Sequence, residues 1–263
     1  MIVTKNKQLV EILTEKKKSH ELNFIPTMGN LHEGHLSLLN YAKKKNHFSI
    51  LSIYVNPLQF NEKKDFKNYP RTLNQDIKLL QKNNVDLIFV PEKNFMEDTF
   101  HNINFENLTK KLCGIDRPGH FSGVMTVMHK FLNLIKPHFL TLGEKDYQQA
   151  LILKKLVKSF FLGTKVFILP TIRECNGLAL SSRNKIISIK KKHIASNIFK
   201  IIKSVSYEIE KNGLSEKKIF YYKKKLIEEG FQKINYLEVL DEKTLCELKN
   251  KPSKGRIFIS VTL

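Results

Sequence analysis

The chain has no tryptophan, only three cysteines and only five arginines among its 263 residues. Each shortage narrows what the protein can be. Cys113, Cys175 and Cys246 are widely separated and odd in number, and no C-x-x-C pair occurs. Free thiols in a reducing, cytoplasmic compartment are therefore the expectation. No stretch approaches the roughly 18 uncharged apolar residues that a membrane-spanning helix needs. The opening "MIVTKNKQLVEILTEKKK" carries Glu11 and Glu15 and has no apolar export core. Neither G-x-x-x-x-G-K-[ST] nor G-x-G-x-x-G is present, so the two common phosphate-loop patterns do not apply. Internal repeats and low-complexity linkers are also missing.

The scarcity of arginine qualifies the formal charge of +20. The charge comes from dispersed lysines, as in Lys16–Lys18, Lys43–Lys45 and Lys190–Lys192, in a chain also rich in Ile, Asn and Phe. That composition fits AT-rich coding as well as it fits a nucleic-acid footprint, and solvated helix faces account for it. Against this background, Arg71, Arg117, Arg173 and Arg183 in "YPRT", "DRPGH", "TIREC" and "SSRN" mark places where a planar, permanently charged fork matters.

What is present reads as a globular chain, 41% hydrophobic and 27% charged. "NFIPTM", "FSILSIYV", "VDLIFV", "FLTLG" and "KVFILP" are short apolar runs expected as buried strands. Helical patterns at 33–45, 72–83, 122–136 and 145–160 alternate with them. Val124, Val127, Met128, Phe131, Leu134 and Ile135 form one core-facing stripe. Alternation of this kind implies a Rossmann-like parallel sheet with helices on both faces, and ligands beyond the carboxyl ends of the strands. Seven of the eight prolines precede residue 171, and Lys, Ile and Glu dominate beyond about Asn184. A boundary near 172–184 follows, with a Rossmann-like domain over 1–173 and a smaller α+β domain over 174–263. In the latter, helices are expected at about 189–211 and 215–229, then strands "INYLEVL" and "GRIFISVTL".

The stretch "PTMGNLHEGH" stands where a strand hands over to a helix. Gly29 permits a tight turn, and a first helical turn offers N–H groups and a positive dipole end to an anion. His32 and His35 share one face of that turn. Three readings compete for them. The stretch is an ordinary turn, a phosphate contact, or a metal site completed by His120 or His138.

The H-x-G-H element after a first strand resembles the nucleotidyltransferase and class I aminoacyl-tRNA synthetase superfamily. Six stretches in order over about 24–184 resemble one family within it, the pantothenate synthetases (pantoate–beta-alanine ligases). They are "PTMGNLHEGH", "SIYVNPLQF", "YPRTLNQD", "RPGHFSGVMTVMHKFLNLIKP", "LGEKDYQQA" and "RECNGLALSSRN". The resemblance implies ATP-dependent condensation of pantoate with beta-alanine through pantoyl adenylate, with Mg²⁺ accompanying ATP. It implies an ATP site lined by Met28, Gly29, Asn30, Leu31, His32, Glu33, Gly34 and His35, continued by Gly143, Glu144, Lys145 and Asp146. Ile172 would meet the adenine, and Leu180, Ser181, Ser182 and Arg183 would close over the phosphates as a lid. His35 would be the proton donor; His32, Lys145 and Arg183 would complete the catalytic set. Gln59 and Gln149 would contact pantoate, an amide being able both to donate to a carboxylate and to accept from a hydroxyl. Arg117 and His120 are further candidates for the rim. The implied partners are these small molecules and a second copy of the chain in a homodimer, with neither nucleic acid nor membrane. The chain departs from the family pattern at Ser122, Cys175, Asn176 and the ending "ISVTL", all expected to bear on peripheral contacts and dimer packing.

Overall fold

A computed structural model describes residues 1–97, 102–248 and 254–263. The chain forms two compact units, Met1–Thr109 with Arg117–Ile172, and Lys110–Asp116 with Arg173–Leu263. Among the described residues no helix is long and apolar enough to cross a membrane.

The first unit runs β1 (Ile2–Val3), α1 (Asn6–Lys16), β2 (Leu22–Thr27), α2 (Glu33–Lys44), β3 (Phe48–Ile53), α3 (Lys63–Asn68), α4 (Leu73–Lys82), β4 (Leu87–Phe89) and α5 (Glu106–Thr109). After α6 (Cys113–Asp116), which belongs to the second unit, it continues with α7 (His120–Ile135), β5 (Phe139–Gly143), α8 (Tyr147–Ser159) and β6 (Lys165–Leu169). The strands form one sheet in the order β1-β4-β3-β2-β5-β6, every pair parallel. Such sheets are covered on both faces, which explains why β2 and β3 are buried almost without interruption, Asn23, Ser49 and Ser52 included. Successive residues still divide between the two sides. Ile25 packs with Leu36, Leu39, Leu51, Leu80 and Ile88 beneath α2 and α4. Its neighbour Phe24 meets Phe131 of α7 at 5.4 Å between ring centroids, within a cluster that includes Phe89 and Phe95. Helix α7 is buried on nearly all sides because α1 and α8 flank it. Of its expected core stripe, Val124, Val127, Met128, Phe131 and Ile135 are buried, whereas Leu134 is half-buried and Leu132 fully enclosed. A single-face stripe understates a helix that other helices surround.

Strand order fixes where a ligand can enter. From β2 the chain moves outward through β3 and β4, then returns to place β5 on the other side of β2. The reversal falls between β2 and β5, and the carboxyl ends of strands at such a point are where parallel sheets bind ligands.

The second unit is α+β. Helices α9 (Ile189–Asn212) and α10 (Glu216–Glu228) pack with an antiparallel pair, β7 (Lys233–Asp241) and β8 (Gly255–Thr262), around Ile201, Val205, Leu226, Phe231 and Leu237. The segment Lys110–Asp116 joins this unit through Cys113 Sγ, 2.9 Å from Tyr236 Oη, and Lys111 Nζ, which donates to Leu245 O at 2.7 Å.

Candidate active site

The loop between β2 and α2 is built from both ends. At the strand end, Thr27 Oγ1 donates to Ser52 O at 2.6 Å and accepts from Gly29 N at 3.3 Å. Gly29 (φ +81°) and Asn30 (φ +49°) then turn the chain in the left-handed region. Glycine is required at 29 on two counts: its φ, and the space a side chain would fill, since a Cβ would lie 3.0 Å from Asp76 Oδ2. Asp76, in the first turn of α4, is buried and accepts from Asn30 N (2.9 Å), Leu31 N (2.8 Å) and Thr72 Oγ1 (3.0 Å). The side chains of Asn30 and Leu31 are buried as well.

At the helix end, His32 is the N-cap of α2. Its Nδ1 accepts from Gly34 N at 3.1 Å, and His35 Nδ1 accepts in return from His32 N at 3.3 Å, a capping box made from two histidines. The two rings lie 4.1 Å apart between centroids. Because both Nδ1 atoms accept, both rings carry their proton on Nε2. The amides of Gly29, Asn30, Leu31, His32 and Gly34 are thus engaged inside the loop. The bare first-turn amides that a helix start ordinarily offers an anion are largely spent here.

Strand β5, next to β2, delivers Gly143 and then a 3₁₀ turn over Glu144–Asp146. Lys145 Nζ lies 3.3 Å from Asp146 Oδ1, both exposed. The two loops feel one another. Burial is the main cause holding His35 down at a pKa of about 3, with His32 and Lys145 adding to it and Asp146 opposing. His35 is therefore a neutral Nε2–H donor near pH 7 in the ligand-free protein.

A third group reaches this loop from β3. Asn56 caps the turn Pro57–Gln59 by accepting from Leu58 N at 3.2 Å, and its Nδ2 donates to Gln59 Oε1 (3.3 Å) and Gly123 O (3.0 Å). Gln59 is buried, and its Nε2 donates to Met28 Sδ at 2.7 Å, which joins the expected pantoate contact to the expected ATP loop. His120 Nδ1–H donates to Gln59 O at 2.7 Å; its Nε2 then accepts from Arg117 Nη1 at 3.2 Å. On α8, Gln148 donates to Leu108 O at 2.8 Å and is buried, while Gln149 is half-exposed. Ile172 is exposed at the end of the first unit.

Leu180, Ser181, Ser182 and Arg183 lie on the second unit. A tight hairpin presents them: Arg173 bridges to Ala179, Arg173 Nη1 donates to Gly177 O at 3.2 Å, and its guanidinium stacks 3.9 Å from the Phe199 ring centroid. Ser181 Oγ accepts from Arg183 N at 3.3 Å, Asn184 Nδ2 ties back to Ala179 O at 3.0 Å, and Arg183 is exposed.

The metal reading of the histidine pair loses its third ligand. His138 Nδ1 accepts from Leu22 N at the start of β2, the far end of that strand, and His120 is held by Gln59 O. Arg71, singled out for its fork, donates to the carbonyls of Phe66, Lys67 and Tyr69 and so locks the end of α3. Asp76 and Asn56 stand inside the motifs "YPRTLNQD" and "NPLQF", yet sequence reasoning gave neither a role. An acid in the first turn of a helix reads as an ordinary dipole partner, and an Asn before Pro as an ordinary turn.

The pantoate-beta-alanine ligase family model matches residues 1–263. The chain is 39% identical over 248 residues to a pantothenate synthetase of Thermosipho melanesiensis, covering 94% of this chain and 88% of that one. It is 42% identical over 261 residues to that of Buchnera aphidicola subsp. Acyrthosiphon pisum, covering 96% and 90%. The crystal structure of the Thermus thermophilus pantothenate synthetase superposes with a TM-score of 0.92 at 33% identity, covering 99% of this chain and 94% of that one. That of the Francisella tularensis ligase, complexed with beta-gamma ATP and beta-alanine, does so with 0.84 at 37% identity, covering 100% and 93%. With a family match over its whole length and a histidine-capped loop at the sheet's reversal, the chain belongs to the pantoate–beta-alanine ligase family.

Proposed function

We propose that this chain condenses pantoate with beta-alanine by way of an adenylate, with ATP as co-substrate. The pantoate carboxylate attacks the α-phosphorus, the bond to the bridging oxygen breaks, and pyrophosphate leaves. The amine of beta-alanine then attacks the acyl carbon of the mixed anhydride, AMP departs, and the amine loses its protons to solvent. Negative charge gathers on the α-phosphate and the leaving pyrophosphate, so positioning and fixed donors should carry the rate.

In this reading Met28–His35 and Gly143–Asp146 form the ATP site at the carboxyl ends of β2 and β5. His32 and His35 donate Nε2–H to phosphate oxygens, and Lys145 adds a mobile ammonium. His35 refuses a proton in the free protein. It therefore meets the departing pyrophosphate as a neutral imidazole that offers its Nε2–H, with Nδ1 still accepting from His32 N. Gln59 and Gln149 bind pantoate; Gln59 arrives pre-oriented by Asn56 and Met28, which limits the entropy lost on binding. Arg183, with Leu180, Ser181 and Ser182, closes over the phosphates from the second unit, and Ile172 meets the adenine. Among the described residues no trio of histidine, cysteine or acidic side chains converges to hold a metal. Mg²⁺ would therefore enter on the triphosphate, held by phosphate oxygens and water as is usual for this ion, and would supply charge neutralisation there. A homodimer completes the proposal.

The observation that carries this reading is the pair of imidazoles whose Nδ1 atoms accept from backbone amides, within electrostatic reach of Lys145 and Asp146. The test is release of AMP and pyrophosphate from ATP. It should require pantoate, proceed to pantothenate only with beta-alanine, and fall by about 100-fold or more in His35→Ala. No AMP formation with all three substrates present would refute it.

A further inference from the structure

We propose that Asp76 is the positioning residue of the H-x-G-H loop. By accepting the Asn30 and Leu31 amides it fixes the two imidazoles in the tautomer and orientation that phosphate contact requires. The inference deepens the adenylation reading and rests on it for its effect on rate.

Gly29 and Asn30 both sit at positive φ, a region glycine and asparagine enter readily, so their own preferences do not fix how the chain leaves the turn. One carboxylate reaching back 46 and 45 residues fixes it: Oδ2 takes Asn30 N at 2.9 Å and Oδ1 takes Leu31 N at 2.8 Å. Thr72 Oγ1 adds a third bond at 3.0 Å, to Oδ2, without touching either loop amide. A carboxylate can accept two N–H groups at once, one on each oxygen, which a side-chain amide cannot. The next residue, His32, begins the capping box, so the angle at which Leu31 leaves Asp76 decides whether His32 Nδ1 reaches Gly34 N and His35 Nδ1 reaches His32 N. Asp76 touches no substrate in this scheme. It acts through the histidines.

Asp76→Asn is the central test. The amide keeps the size but offers one oxygen and points an NH₂ at the second loop amide, so it can hold only one of the two. Histidine ¹⁵N spectra of the parent should show His32 and His35 each as a single Nε2–H tautomer. In D76N both should become tautomer mixtures, with the signals of His47 and His138 unmoved. Pantoate-dependent pyrophosphate release should slow about 10- to 100-fold, the cost of a displacement of about 1 Å at reacting groups, while KM for beta-alanine stays within about twofold. Thr72→Val, which leaves both loop amides bound, should keep the parent tautomers and a rate within about threefold. Gly29→Ala drives a methyl against Asp76 Oδ2 and should reproduce the D76N spectra, so it serves if D76N does not accumulate as folded protein. Parent-like tautomers in a folded D76N or G29A protein, with or without loss of rate, overturn the proposal; so does T72V impaired as severely as D76N. If the parent itself releases no pyrophosphate, the adenylation reading fails, and the spectra still decide the role of Asp76.

Discussion

His35 is a histidine that folding keeps neutral, and the consequence can be measured without substrate. Its pKa falls from 6.5 to about 3 in the folded protein, first through burial. Below 6.5 the unfolded chain takes up a proton that the folded chain refuses. The stability this ring contributes is therefore complete above 6.5 and is lost as pH falls toward 3. His35→Gln cannot titrate, so its urea-derived unfolding free energy should decline less steeply than the parent's between pH 6.5 and 4. Equal slopes would assign the acid sensitivity to another group. The residue type and spacing of this pair were legible in "HEGH", because a first helical turn puts i and i+3 on one face. Which ring nitrogen bears the proton was not legible. That depends on which backbone amides the Nδ1 atoms meet.

Among the elements, the pairing of α7 with the Pro57–Gln59 turn has little tolerance. A Cβ at Gly123 would sit 2.1 Å from Leu58 O and 2.7 Å from Gln59 N, all main chain. The helix therefore runs directly against the turn, and its Gly123 carbonyl is close enough for Asn56 to bind. Gly123→Ala must push the turn away, and overpacking of this kind costs about 1–3 kcal/mol. Thermal melts should show that loss, and KM for pantoate should rise because Gln59 moves with the turn; an unchanged KM in a folded variant would separate Gln59 from pantoate. Strands β2, β3, β5 and β6 and helices α2, α4, α7 and α8 were all readable from apolar runs and helical spacing. Helix α1 escaped notice because its two buried leucines, Leu9 and Leu13, lie in a run of lysines and glutamates, too few to set a period. The short helix α6 and its attachment to the second unit carry no periodic signal at all.

For the whole molecule, the proposed reaction draws on both units, and Arg183 tests that. Its side chain is exposed in the second unit, so Arg183→Ala should leave unfolding free energy within about 0.5 kcal/mol of the parent. Adenylation, followed as pyrophosphate release, should nevertheless fall by about 100-fold, and Arg183→Lys should recover only part because an ammonium lacks the fork. ATP with pantoate should also protect the Leu180–Lys185 stretch from proteolysis. Full adenylation by R183A would remove the lid from the mechanism.

Local patterns along the chain were enough for the class of sheet, the alternation of its main strands and helices and, through the resemblance of six motifs, the family. These rest on local chemistry: apolar runs too continuous for one-sided strands, glycines where the chain must turn, and motifs read in order. How the site is held follows from packing across the fold. The reversal between β2 and β5 sets two loops side by side that are more than 100 residues apart. Asp76 reaches 46 residues back to clamp one of them, Asn56 and Met28 orient Gln59, and Arg71 turns to backbone carbonyls instead of a ligand. No local pattern encodes such contacts, because a buried hydrogen bond depends on which groups packing brings together, and packing is a property of the whole fold.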